Sequence, residues 1–357
     1  MFDVVALGEL LIDFVCQSKN DAGYPTLAAN PGGAPGNFLA ALQAYGCTTA
    51  MLSKVGTDAL GKLLVGTLEN LGIHTRGIVM ADDVFTTLAF VTLDNTGNRE
   101  FSFARKPGAD TRLTQAEVLS SGLIDDCRVF HFGTLSLTDE PVRTATCAAV
   151  ARAKAQGKLI SLDPNLRKPL WSSENEARRQ IEWSLSQADI VKISDEEIDF
   201  LWGISPEEGA RKLLSEYNVS LVYATLGPKG CYAVNRNGSV TVESPKGIHV
   251  VDTTGAGDIF GGSAMSRFLL LNKRPEELSV SEMTEIVRFA CCAASLSTQI
   301  HGGISSVIPM EQVLACVEKT YKARTCSASA SSPCVPSDTL WFNRIRARTR
   351  SKNKVAP

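Results

Sequence analysis

The sequence is poor in the patterns that build metal centres and disulfide scaffolds. It has four histidines, and its cysteines and histidines form no cluster with zinc spacing. Its ten cysteines are scattered, with no Cys-x-x-Cys pair among them. Cys291 and Cys292 are adjacent within an apolar helical pattern, which predicts buried free thiols and a reducing, cytoplasmic setting. Apolar runs are also short. None approaches the roughly 20 residues of a membrane span, so no membrane association is expected. Asp3, Glu9 and Asp13 interrupt the N-terminal apolar stretch and no basic segment precedes it, which argues against a secretory signal. The net charge is only −2, unevenly spread. From Ser327 onward six Lys or Arg face one Asp, leaving the tail at +5 and the body at −7. The body therefore has no electrostatic footprint for nucleic acid.

What the sequence does have is a long alternation of strand-like and helix-like segments. Residues 4–7 form a short buried-type strand, and 11–16 alternate as if continuing into a small accessory sheet. Residues 35–45 predict an Ala-rich helix, 49–53 a strand, and 59–70 a helix stopped at Gly72. Residues 86–93 and 99–103 alternate around the turn-rich 94–98 and predict a hairpin. Thr114 and Glu117 have capping-box spacing. Strands at 129–132, 159–162, 190–193 and 221–225 then alternate with helices at 141–156, 174–186 and 206–217. This order predicts an α/β fold with a mostly parallel central sheet covered by helices on both faces. Polar residues cluster just after the strands, where such sheets bind ligands: Asp163 to Arg167, Ser194 to Glu197, and Gly227 to Gly230.

Two glycine turns open helices. The first runs from Pro31 to Asn37. The second is Asp252-Thr253-Thr254-Gly255-Ala256-Gly257-Asp258. Gly255, Ala256 and Gly257 allow close backbone approach, and the first-turn N–H groups of the following helix favour an anion such as a transferring phosphoryl group. Asp258 would repel that anion unless it takes a proton from an attacking hydroxyl. Two other readings stand beside this one. Asp258 could simply complement the helix dipole. Gly255, Gly257 and Gly261 could be a loose dinucleotide fingerprint, which would make the chain a dehydrogenase.

With these motifs the chain resembles the pfkB, or ribokinase-like, carbohydrate kinases, and within them the fructokinases, over about residues 2–322. Residues 252–265 look like the family's second signature, and 30–37 with Gly46 and 54–58 look like its first. Residues 9–13, 101–110, 131–137 and 163–167 look like fructokinase segments. The resemblance implies a ribokinase-like domain over 1–324. It also implies an accessory β-sheet lid from about 11–29 and 78–104, and a homodimer through that sheet. The basic segment 325–357 is expected to be a disordered tail on composition.

The implied activity is ATP- and Mg²⁺-dependent phosphorylation of D-fructose to fructose 6-phosphate. The alternatives are a kinase for ribose or 2-keto-3-deoxygluconate, or a catalytically silent sugar sensor. Asp258 would be the general base, and Gly255, Ala256 and Gly257 the anion hole. Asp13, Gly33 and Asn37 would bind sugar hydroxyls, and Phe101 on the hairpin would cover the sugar. Arg105 and Arg167 would either touch ligand or form ion pairs. Ser194, Thr225, Gly227 and Gly230 would line the ATP site. Glu197 would hold Mg²⁺ through water, although Ser194 and Glu197 also have capping-box spacing. Asp252, with the loop near Gly302 and Gly303, falls where the family binds a monovalent cation, K⁺. His131, Trp171, Trp183 and Trp202 are expected to serve packing.

Overall fold

A computed structural model describes residues 1–93 and 99–322. In chain order its strands are β1 (Phe2–Leu7), β2 (Leu11–Lys19), β3 (Pro25–Gly32), β4 (Thr49–Gly56), β5 (His74–Ala81), β6 (Leu88–Leu93), β7 (Arg99–Ala104), β8 (Cys127–Gly133), β9 (Leu159–Asp163), β10 (Ile190–Ser194), β11 (Leu221–Thr225), β12 (Cys231–Asn235) and β13 (Gly238–Val242). The helices are α1 (Ala34–Ala44), α2 (Ala59–Asn70), α3 (Gln115–Ser120), α4 (Val142–Ala155), α5 (Glu174–Leu185), α6 (Asp195–Trp202), α7 (Pro206–Glu216), α8 (Ala256–Leu271), α9 (Val280–Ser297) and α10 (Met310–Val317).

The large sheet has the order β13-β12-β11-β10-β9-β8-β1-β4-β5. Strands β11 through β5 in that order are parallel, and β12 and β13 close one edge as an antiparallel hairpin. The central strands are buried on both faces and mostly apolar, as a covered parallel sheet requires. β1 shows the division. Val4 and Ala6 join a core with α1, α2, α8, α9 and α10, while Val5 and Leu7 join a second core with α3 through α7. Local chemistry starts the helices. Asp58 caps α2 by accepting from Leu60 and Gly61 N–H, and capping boxes open α3, α6, α7 and α9.

The accessory sheet has the order β3-β2-β6-β7. β2 continues from β1 through Gly8 and Glu9, so this sheet stands over the carboxyl edge of the parallel strands. Phe14 and Phe90 stack on it with ring centroids 5.4 Å apart. The accessory segment expected to begin near residue 78 begins instead at Leu88. Ile78 pairs with Ser53 in parallel, so 78–81 complete the edge strand β5 of the large sheet. The sheet also extends past residue 29, since Asn30, Pro31 and Gly32 pair with Asp13, Ile12 and Leu11. The expected hairpin turn at 94–98 and the tail from residue 323 lie outside the described residues.

Candidate active site

The site forms where two helix starts meet the carboxyl ends of the parallel strands. Glu9, just beyond β1, accepts Ala34 N–H at 2.9 Å and so fixes the start of α1. Burial pushes its carboxyl up to about 7, against the pull of that bond and of Arg105. Gly33 immediately precedes α1, and its carbonyl accepts Asn37 N–H at 3.0 Å. One turn into α1, Asn37 Nδ2 donates to Asp258 Oδ2 at 2.8 Å.

Asp258 lies in the first turn of α8. The loop before it is bent by two sets of bonds. Val251 and Asp252 N–H both donate to Thr298 O, at 2.8 and 2.9 Å. The buried Asp252 carboxylate accepts Thr254 N–H at 2.8 Å and Gly302 N–H at 3.0 Å. Gly255 then turns the chain with φ of 74°, and a Cβ there would lie 2.8 Å from Gly303 Cα. A Cβ on Gly257 would lie 3.0 Å from Lys192 Nζ, so the lysine packs closely against this turn. A lysine ammonium therefore sits against the first turn of α8, whose free N–H groups favour an anion.

Nothing in the residues around Lys192 singles it out in the sequence. It lies on β10 and donates to Asp163 Oδ1 and Oδ2 at 3.2 and 3.0 Å. Asp163, Glu197 and Asp258 together hold its ammonium well above the ordinary lysine range, outweighing burial. Three carboxylates thus share one lysine, and the cluster keeps surplus negative charge. Burial pushes Asp258 up to about 6, while Lys192, the Asn37 bond and Arg167 oppose the rise. The partly buried Asp13 is pushed to about 7, first by burial and then by Asp258 and Asp252, with Arg167 opposing. Its Oδ2 occupies the space above Gly32 Cα, where a Cβ would be 2.3 Å away. Asp13, Asn37, Asp258 and the exposed Arg167 therefore share one electrostatic neighbourhood.

A cavity of about 740 Å³ opens beside this group. Ser194, Thr225, Gly227 and Gly230 line it, and Ala256, Gly257 and Lys192 also face it. These residues come from three segments: the end of β10, the end of β11 with the loop after it, and the start of α8. The other wall is new. It consists of residues 244–248 and Val250 together with Cys291, Ala294, Ser295 and Thr298 around the end of α9. Tyr321 anchors this wall by donating to Glu243 O at 2.6 Å. The local signal was Ser-Pro-Lys-Gly at 244–247, a turn sequence with no chemistry of its own.

Other expected site residues have structural partners. Ser194 and Glu197 form the capping box of α6. Glu197 Oε2 accepts Ser194 N–H and Oε1 accepts Leu166 N–H, each at 2.8 Å. Arg105 is buried, and its guanidinium donates to Asp110, Thr138 Oγ1 and Leu135 O. These contacts make it an internal ion-pair residue in this structure and do not bring it to Asp258. Phe101 pairs with Val91 in the accessory sheet; its side chain lies outside the described residues. His131 stacks on Phe38 with centroids 3.8 Å apart and bonds Ser161 at 3.0 Å. Burial depresses its pKa to about 3, so it packs as a neutral ring.

The sequence pattern of the pfkB family of carbohydrate kinases matches residues 1–310. The chain belongs to that family. Fructokinase-1 of Zea mays is 41% identical over 320 residues, covering 88% of this chain and 98% of the relative. Among solved structures, the fructokinase of Xylella fastidiosa with bound ATP superposes with a TM-score of 0.79 at 26% identity, covering 89% of this chain and 99% of the other. A double mutant of the fructokinase of Vibrio cholerae O395, bound to fructose, ADP and potassium ion, gives 0.77 at 27% identity, covering 89% and 99%. This pfkB kinase therefore has the ribokinase-like α/β fold with its accessory sheet. Among the described residues, no helix is long and apolar enough to cross a membrane.

Proposed function

We propose that the protein transfers the γ-phosphoryl group of ATP to the 6-hydroxyl of D-fructose, giving fructose 6-phosphate and ADP. One observation carries this reading: a buried carboxylate, Asp258, in the first turn of an anion-favouring helix, between a nucleotide-sized cavity and the polar group around Asp13. Phosphoryl transfer asks a protein for positioning and charge neutralisation more than for covalent chemistry.

The 740 Å³ cavity takes ATP, with Ser194, Thr225, Gly227 and Gly230 along one wall and α9 along the other. Asp13, Gly33, Asn37 and Arg167 bind the sugar below the accessory sheet, whose β6–β7 pair covers it. Asn37 occupies Asp258 Oδ2, which leaves Oδ1 to accept the hydroxyl proton. The sugar oxygen forms its bond to the γ-phosphorus as the bond to the β–γ bridging oxygen breaks, and ADP leaves with that oxygen. Gly255, Ala256, Gly257 and Lys192 neutralise the charge on the transferring group. A base near pH 6 is matched to this task, because it is ionised at neutral pH yet still proton-hungry.

The surplus negative charge around Lys192 fits a divalent cation beside the phosphates. Glu197 keeps unused lone pairs after its two backbone bonds and would hold Mg²⁺ through water. That ion supplies further neutralisation of phosphate charge. Asp252 and its loop would hold K⁺. The chain would work as a cytoplasmic homodimer joined through the accessory sheet.

A coupled ADP-release assay over fructose, ribose, adenosine and 2-keto-3-deoxygluconate tests the reading. Fructose should have the highest kcat/KM. A preference for another acceptor would reassign the substrate, and binding without turnover of any sugar would make the protein a sensor.

A further inference from the structure

We infer that Asn30 is a sugar-binding residue, donating from its side-chain amide to a hydroxyl of the sugar. The inference deepens the kinase reading above and rests on it. Asn30 lies on β3 directly opposite Asp13 on β2. Directly opposed residues of an antiparallel pair present their side chains on the same face, about 5 Å apart at Cβ. Asn30 thus stands beside the carboxylate that faces Arg167 and Asp258.

Two amide atoms in this region are buried with no hydrogen-bond partner. One is Asn30 Nδ2, a donor, and the other is Asn37 Oδ1, an acceptor. They flank the same two glycines. A Cβ on Gly302 would lie 3.7 Å from Asn30 Cβ, and a Cβ on Gly303 would lie 2.3 Å from Asn37 Oδ1. The 302–303 loop is also tied to Asp252 and touches Gly255, so both amides border the start of α8. A buried donor left unpaired costs about 1–3 kcal/mol. An apolar side chain would serve the fold better at position 30. The donor is therefore held for a ligand. A hydroxyl is the matching group, because it both accepts and donates. A polyol lying between Asp13 and Asp258 would meet Asn30 as donor, Asn37 Oδ1 as acceptor and Asp13 as acceptor.

Steady-state kinetics and thermal melting of full-length Asn30→Ala and Asn30→Asp test this. In Asn30→Ala the fructose KM should rise about tenfold, corresponding to one hydrogen bond of ordinary strength. The KM for ATP and kcat should stay within about twofold, and the melting midpoint should not fall. Asn30→Asp should raise the fructose KM further, since it loses the donor and faces Asp13 with like charge. A parallel series with 2,5-anhydro-D-mannitol and the 1-, 3- and 4-deoxyfructoses removes the non-reacting hydroxyls in turn. With one of them the penalty of Asn30→Ala should vanish. An unchanged fructose KM in Asn30→Ala, a penalty confined to kcat, ATP or melting, or a penalty that persists in full across the analogues would overturn the inference. If the wild type prefers another sugar, the same comparison on that sugar decides it. If the wild type turns over no sugar, the kinase reading fails and the inference fails with it.

Discussion

Asn37 Nδ2 donates to Asp258 Oδ2 at 2.8 Å, joining the first turns of two helices that are 221 residues apart in the chain. The bond does two things at once. It orients the carboxylate, and it offsets part of the cost of burying its charge.

Asp258→Asn should lower kcat by about 10²–10⁴, the usual range for loss of a general base. It should also stabilise the protein at pH 7.5. The Asp258 carboxyl is raised to about 6 in the folded chain from an ordinary value of 3.8. The folded state thus binds the proton more tightly, and stability is lost as pH rises from about 4 to 6. Melting curves of the variant should lie above wild type at pH 7.5 and converge toward pH 4. In the wild type, log kcat/KM should fall with unit slope below about pH 6. A folded variant with near-normal turnover would remove Asp258 from the chemistry.

Lys192→Met should destabilise the protein by about 3–5 kcal/mol, because it strands Asp163, Glu197 and Asp258 as neighbouring buried carboxylates. Adding Asp163→Asn should restore part of that stability without restoring activity. Urea denaturation and the ADP-release assay read the two effects separately. Recovery of turnover in the double variant would mean that Lys192 acts only as a partner for Asp163.

A chain ending at residue 324 should keep its melting temperature and its kcat/KM within about twofold. The composition beyond that point has no periodic apolar face to pack. Ending the chain at residue 317 should behave differently. It removes the Tyr321 bond to Glu243 O, which holds the outer wall of the nucleotide cavity. The KM for ATP should rise severalfold while that for fructose changes little.

Hydrogen exchange should slow across β6 and β7 when fructose is added, with smaller changes in β8 through β10. A γ-phosphoryl group exposed to water invites hydrolysis, so the sugar must be covered before transfer. Equal protection with and without sugar, also in the presence of nucleotide, would make the accessory sheet a fixed interface instead of a moving cover.

Much of this molecule was legible in the order of its residues. Alternating strand and helix patterns gave the covered parallel sheet, and α2 and β11 fell at their expected limits. The run from Asp252 to Asp258 announced a glycine turn into a helix start, because glycines and a first-turn acid act through the backbone next to them. Local chemistry does not extend to which loops meet. Ser194 and Glu197 matched a capping box and a metal-binding element equally well, and only the fold shows both Glu197 oxygens on backbone N–H. Arg105 suits a ligand or an ion pair equally in sequence, and only the fold shows Asp110 beside it. The hairpin β12–β13 and the 244–250 wall passed unread, since short apolar runs and turn residues carry no period. Lys192 was one polar residue in an apolar strand until strand order set it among Asp163, Glu197 and Asp258. The sequence by itself determined the elements, their caps and the helix start that favours an anion, all effects confined to a few neighbouring residues. The tertiary structure decided the Asn37–Asp258 bond, the shared charge around Lys192 and the raised carboxyls, because burial and the distance between remote loops exist only once the strands are in order.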